Sequence, residues 1–114
     1  MKDDRLFLIH IAECIARIEL YTSDGKDFFL KDHKTQDAVL RNLQTLSEST
    51  QRLSESQKEI RKDIDWRAIA GFRNVLVHEY LGLNVLRIWE IIEHDLPQLK
   101  QAIAEILQEI GVKL

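Results

Sequence analysis

One proline and four glycines in 114 residues leave this chain few places to end a helix or reverse a strand. Between those breakers the apolar residues are periodic. Val39, Leu43, Leu46, Thr50 and Leu53 recur at alternating spacings of four and three, which traces one stripe of an α-helix. Long helices with short connections pack as an antiparallel up-and-down bundle, so the expected fold class is all-α. The length suits one hydrophobic core, and a single domain over residues 1–114 is expected.

Four helical stretches follow from the caps and breakers. The first covers roughly residues 3 to 23 and ends at "TSDGKD", with Gly25 in its C-terminal cap region. "FFLKD" leads into the second, for which Asp32 is the candidate N-cap, and that helix fades into "SESQKEIRKD", a charged connection without strand character. Asp65 opens the third, with Ile64 and Ile69 as a hydrophobic staple, and Gly82 suits its end soon after Tyr80. Asn84 caps the fourth, with Leu83 and Ile88 as its staple, and the periodicity runs to about Glu109. Pro97 has no N–H to give the helical ladder, so a kink or split is expected near Asp95 and Leu96.

A content of 45% hydrophobic and 31% charged residues is that of a soluble globular protein. The net charge of −3 argues against a basic field over the whole surface and confines any nucleic-acid contact to a local patch. The most apolar run, "LFLIHIAECIARIEL", is too short for a bilayer and is interrupted by His10, Glu13 and Arg17. "MKDDR" has acids where a basic leader would stand. Lone Cys14 suits a reducing compartment. A cytoplasmic protein without a membrane partner is therefore expected.

The stretch "GFRNVLVHEYLG", residues 71–82, departs from this plain pattern. At about 100° per residue, Ala68, Ile69, Phe72, Val75 and Leu76 share a core face. Arg73, Val77 and Tyr80 form a stripe on another side, adjoined by Asn74 and His78, and Ala70 and Gly71 lie on that side too. A helical glycine costs about 1 kcal/mol relative to alanine, and here it suggests close approach of a second helix or a ligand. Histidine takes and gives a proton near neutrality. Arginine offers a permanent cation with a planar fork of donors for phosphate oxygens. Asparagine orients a neighbour or a substrate hydroxyl. Together these suit phosphoryl chemistry on a nucleic acid.

Other constellations are weaker. "HEYLG" starts like a zinc-protease motif, but Gly82 stands where the second histidine belongs. His10, His33 and His94 are scattered, and Glu90, Glu93 and His94 lack a matching pair from a second helix. No metal site or cofactor is expected. Trp66 and Trp89 read as core or interface anchors, with base stacking as the functional alternative, and Arg41 with Glu48 as a solvated or dimer-contact pair, with lining of the cleft as theirs. "KEIRKD" and Arg67 read first as a solvated charge run, with electrostatic guidance of RNA as the functional alternative.

The spacing Arg73, four residues, His78, one residue, Tyr80 resembles the R-x4-H-x-Y signature of the HEPN superfamily, specifically its HepT-like toxins paired with minimal nucleotidyltransferase (MntA) antitoxins. "IDWRAIAGFRNVLVHEYLGLN" and "VLRIWEIIEHDLPQLK" are similar to that family across the third and fourth helices, and "DAVLRNLQTLSEST" to its second. Family members often have Gly-Glu-Ala where this chain has Ser47, Glu48 and Ser49. The resemblance covers nearly the whole chain, the first helix being least specific. It implies an all-α homodimer and a metal-independent endoribonuclease working in a cleft at the dimer interface. Arg73 and His78 would be catalytic, Asn74 would support them, and Tyr80 would accept AMP from the nucleotidyltransferase antitoxin. Two rival functions remain open at this stage: a non-catalytic accessory module that binds the nucleotidyltransferase or presents substrate to it, and a plain helical dimer.

Overall fold

Each side chain named above as a helix start caps a helix in the computed structural model, which describes residues 4–72 and 84–111. The Asp32 carboxylate accepts from the Thr35 backbone N–H at 3.1 Å and from its hydroxyl, closing the open first turn of a helix. Asp65 accepts from the Ala68 N–H at 3.0 Å and Asn84 from the Arg87 N–H at 3.2 Å. In chain order the helices are α1 (Asp4–Tyr21), α2 (Lys26–Lys31), α3 (His33–Gln51), α4 (Glu55–Ile60), α5 (Trp66–Ala70), α6 (Val85–Glu90) and α7 (Leu96–Glu109). A π-helical turn, Ile91–Asp95, joins α6 to α7. Among the described residues there is no strand, and the fold class is all-α as expected.

The helices pack with alternating direction. Ser54, just past α3, donates to Asp4 at the start of α1, and His10 of α1 meets Ser49 of α3 at 3.3 Å. Glu19 near the end of α1 pairs with Lys100 near the start of α7 at 2.8 Å. Thus α1 runs antiparallel to both α3 and α7, its main packing partners. Leu8, Ile11, Ile15 and Ile18 of α1 meet Ile103 and Ile106 of α7 in one apolar cluster, joined by the α3 stripe. Val39, Leu43, Leu46 and Thr50 have no exposed surface, and Leu53 is buried. Thr50 meets the polar demand of burial by donating to the Leu46 carbonyl at 2.8 Å. Leu43→Ala is expected to destabilise the protein by about 2–5 kcal/mol, since it removes transfer free energy and leaves a cavity. Urea unfolding of the variant measures this.

The fourth segment deviates from a regular helix where Pro97 demands it, but by widening and not by breaking. The Leu96 N–H reaches back five residues to the Ile91 carbonyl, and Pro97 sits in the first turn of α7, where its missing donor is tolerated. Two elements depart from the sequence expectation. The stretch after Gly25 forms α2, because the glycine at φ 94° starts it and Phe29, fully buried, packs on Trp89 with ring centroids 5.4 Å apart. Part of the charged connection forms α4, which buries no residue of its own. It is held by Trp66, whose indole N–H donates to the carbonyls of Lys58 and Arg61.

Hydrogen bonds from the Thr35 hydroxyl and backbone hold the Asp32 carboxyl below its usual range. Those from Arg61 do the same for Asp63. A carboxyl depressed by folding adds stability that is complete above its unfolded pKa, near 4, and is lost as pH falls through the folded value. The melting temperature should therefore fall below about pH 4. Asp32→Asn keeps a capping oxygen but gains no proton, so its decline over the same range should be shallower.

Candidate functional site

The residues singled out for chemistry, Arg73, Asn74, His78 and Tyr80, lie outside the described residues, as do Val75, Leu76, Gly82 and Leu83. The structure describes both shoulders of that segment. On the upstream side Asp65 caps α5, and Ile64 and Ile69 are buried as the staple requires. Phe72, the residue before Arg73, is buried in the core. On the downstream side Asn84 caps α6, and Ile88 is buried. Phe72 and Ile88, described residues on either side of that segment, belong to one apolar core.

Gly71 closes α5 with φ −72° and ψ −10°, a conformation open to any residue. The three nearest atoms that a Cβ would meet there belong to Arg67 and Ala68 of the preceding turn, the closest being the Ala68 carbonyl oxygen at 3.2 Å. The close approach inferred from this glycine is not made by those nearest atoms. Ala68, placed on the core face by the helical wheel, is exposed. It sits in the first turn of α5, at the rim of a cleft, and not under a neighbouring helix.

Two concavities flank this shoulder. One, of about 190 Å³, opens between α5 and the fourth segment over Ile69, Phe72 and Leu99, with Asp65, Arg87 and Asp95 at its rim. The other is a groove of about 460 Å³ lined by Gln51, Lys58, Lys62, Trp66, Arg67 and Ala70. It runs between α4 and α5 to the turn that precedes Arg73. Gln51 donates to the Ala70 carbonyl at 3.3 Å and so ties the end of α3 to that turn.

The remaining candidates settle into structural roles. His10 is half-buried on Ser49, and His33 is exposed. Glu90 leans on Arg87 at 3.6 Å and Glu93 on His94 at 3.4 Å, and the described residues contain no group of three or more His, Cys, Asp or Glu that could hold a metal ion. Arg41 and Glu48 form no ion pair with each other; Arg41 is exposed and Glu48 half-buried. Trp66 and Trp89 are both half-buried and packed against the core as expected, and Trp66 also lines the groove. Burial pushes the Cys14 thiol above its ordinary pKa, which keeps it protonated and inert. No helix among the described residues is long and apolar enough to cross a membrane.

The sequence model of the ribonuclease HepT-like family matches residues 11–106, from the middle of α1 almost to the end of α7. The chain belongs to that family. This HepT-like assignment carries the HEPN superfamily with it and makes the protein an RNA-acting enzyme of the ribonuclease class. The "Probable ribonuclease HepT" of Thermococcus cleftensis is 37% identical over 95 residues, covering 82% of this chain and 86% of its own. "Putative RNase TTE0752" of Caldanaerobacter subterraneus subsp. tengcongensis is 36% identical over 110 residues, which cover 96% of this chain and 98% of that one. "Gamma-glutamylcyclotransferase and putative RNase MJ0434" of Methanocaldococcus jannaschii is 34% identical over 110 residues, 96% of this chain. The chain spans only 50% of the length of that last relative. No solved structure gives a significant match.

Proposed function

We propose that this HepT-like chain, as a single domain, is the toxin of a toxin–antitoxin pair: a metal-independent endoribonuclease that acts as a homodimer in the cytoplasm. The observation that carries it is the Arg73, His78, Tyr80 spacing within a family named for a ribonuclease. Cleavage by attack of the RNA 2′-hydroxyl forms a 2′-O–P bond and breaks the bond from phosphorus to the 5′-oxygen. A base must take the 2′-hydroxyl proton and an acid must protonate the leaving 5′-oxygen. Each chain brings one motif histidine, so a two-fold dimer supplies two His78 side chains, one for each task. The paired Arg73 guanidiniums stabilise charge on the phosphate, and Asn74 orients His78 or the substrate. The lone buried Cys14 suits the reducing compartment.

Regulation follows from Tyr80. A nucleotidyltransferase antitoxin of the MntA type transfers AMP from ATP to its hydroxyl, forming a phosphodiester and releasing pyrophosphate. Incubating the purified protein with total RNA in EDTA tests the catalytic part. Fragments ending in 2′,3′-cyclic phosphate support it. A strict requirement for a divalent metal defeats the mechanism, and uncleaved RNA would favour the accessory role.

A further inference from the structure

We propose that the groove between α4 and α5 binds single-stranded RNA, stacking one base on Trp66 and seating neighbouring phosphates on Lys62 and Arg67. The proposal rests on the ribonuclease reading of the chain and adds a substrate-binding site outside the catalytic motif.

Trp66 is the first observation. Its N–H is directed inward, bifurcated between the Lys58 carbonyl at 3.2 Å and the Arg61 carbonyl at 3.0 Å. The polar edge of the indole is therefore satisfied by the protein itself. The half-buried side chain packs against the core and also lines the groove, where it requires no polar partner. An aromatic surface held in this way accepts any base by stacking.

The cations are the second. Lys62 and Arg67 are exposed, and neither side chain makes a hydrogen bond or ion pair among the described residues. Lys58 is committed only loosely, 4.0 Å from Glu55. Glu55 and Glu59 also line the groove, so three cations face two carboxylates. That small excess of positive charge suits poorly the dense phosphates of a duplex. A single strand carries fewer phosphates per length and has open bases, so stacking can supplement the modest charge.

Position is the third. The groove ends at Ala70, whose carbonyl Gln51 holds, three residues before Arg73. A strand crossing Trp66 is thereby led toward the segment that carries the catalytic motif, and the charged run 58–63 becomes part of the substrate path.

The test is fluorescence anisotropy with a labelled 2′-O-methyl oligonucleotide, which lacks the attacking hydroxyl and so separates binding from cleavage. Wild type should bind. Lys62→Ala with Arg67→Ala should weaken binding at low salt by about tenfold and flatten the salt slope by about 1.4, at roughly 0.7 per lost phosphate contact. Trp66→Leu should weaken it by about tenfold, and Trp66→Phe, which keeps a stacking face, should restore most of the affinity. Melting curves identify any loss due to unfolding, and the exposed Lys62 and Arg67 pair tests the site even if Trp66→Leu loosens α4. No binding by wild type, or unchanged affinity and salt slope in the double variant, overturns the proposal. Cleavage by His78→Ala is read separately on unmodified RNA. Cleavage surviving there removes the catalytic assignment without touching the affinity comparison.

Discussion

His78→Ala is expected to lower RNA cleavage by at least about 10²-fold, the usual range for losing a positioned acid or base. The loss should be large because each chain carries one motif histidine, so in the proposed two-fold dimer the variant would lose base and acid together. Arg73→Lys should also cost about 10²-fold. Lysine keeps the charge but is a point cation, and it cannot reproduce a planar two-pronged contact with phosphate oxygens. Both variants are assayed in EDTA against total RNA, with a melting curve for each. A properly folded His78→Ala variant that cleaves at the wild-type rate would remove the histidine from the mechanism. Mixed dimers add a sharper readout. If one His78 is base and the other acid, a heterodimer with a single histidine should fall far below half of wild-type activity.

Co-expression with the nucleotidyltransferase antitoxin is expected to silence the enzyme almost completely and to add mass in AMP units at Tyr80. Tyrosine, with an ordinary pKa near 10, is a poor acid or base at neutrality, so Tyr80→Phe should retain most cleavage. An AMP group on its oxygen changes the site in two ways. On the proposed reading it would bring a negative phosphate near Arg73, where the mechanism seats an RNA phosphate, and add a nucleoside's bulk. The arginine then faces an internal anion in place of substrate. Intact-mass measurement and peptide mapping locate the group. Silencing that persists in Tyr80→Phe, or silencing without added mass, would mean the antitoxin works by occlusion alone.

Much of the scaffold was legible from short-range rules. Asp32, Asp65 and Asn84 each cap the helix that their position announced, since an oxygen three residues ahead of a free N–H makes that bond in almost any context. The Val39, Leu43, Leu46, Thr50, Leu53 stripe is buried throughout, because apolar spacing of three and four leaves a helix one face to hide. The irregularity before Pro97 was visible too, as a missing backbone donor, though its π-helical form was not. The chemical candidates were named from residue type, spacing and family resemblance together. Their arrangement in space lies outside the described residues.

Tertiary contact decided the rest. Helices of six residues do not hold in water by themselves, since nucleation costs more than one turn returns. Thus α2 exists because Gly25 turns the chain and Phe29 finds Trp89 and the core, and α4 is held because Trp66, a few residues beyond its end, packs on the core and donates to the carbonyls of Lys58 and Arg61. The role of Trp66 illustrates the limit. Its sequence neighbours mark a hydrophobic anchor, which it is, but only the packed structure turns its N–H toward the end of α4 and sets it at a groove lined by Lys58, Lys62 and Arg67 beside Glu55 and Glu59. Caps, stripes and breakers act over three or four residues, so the amino-acid sequence alone determined them. Which surfaces meet depends on helices brought together from distant parts of the chain, and that was determined only when the core closed.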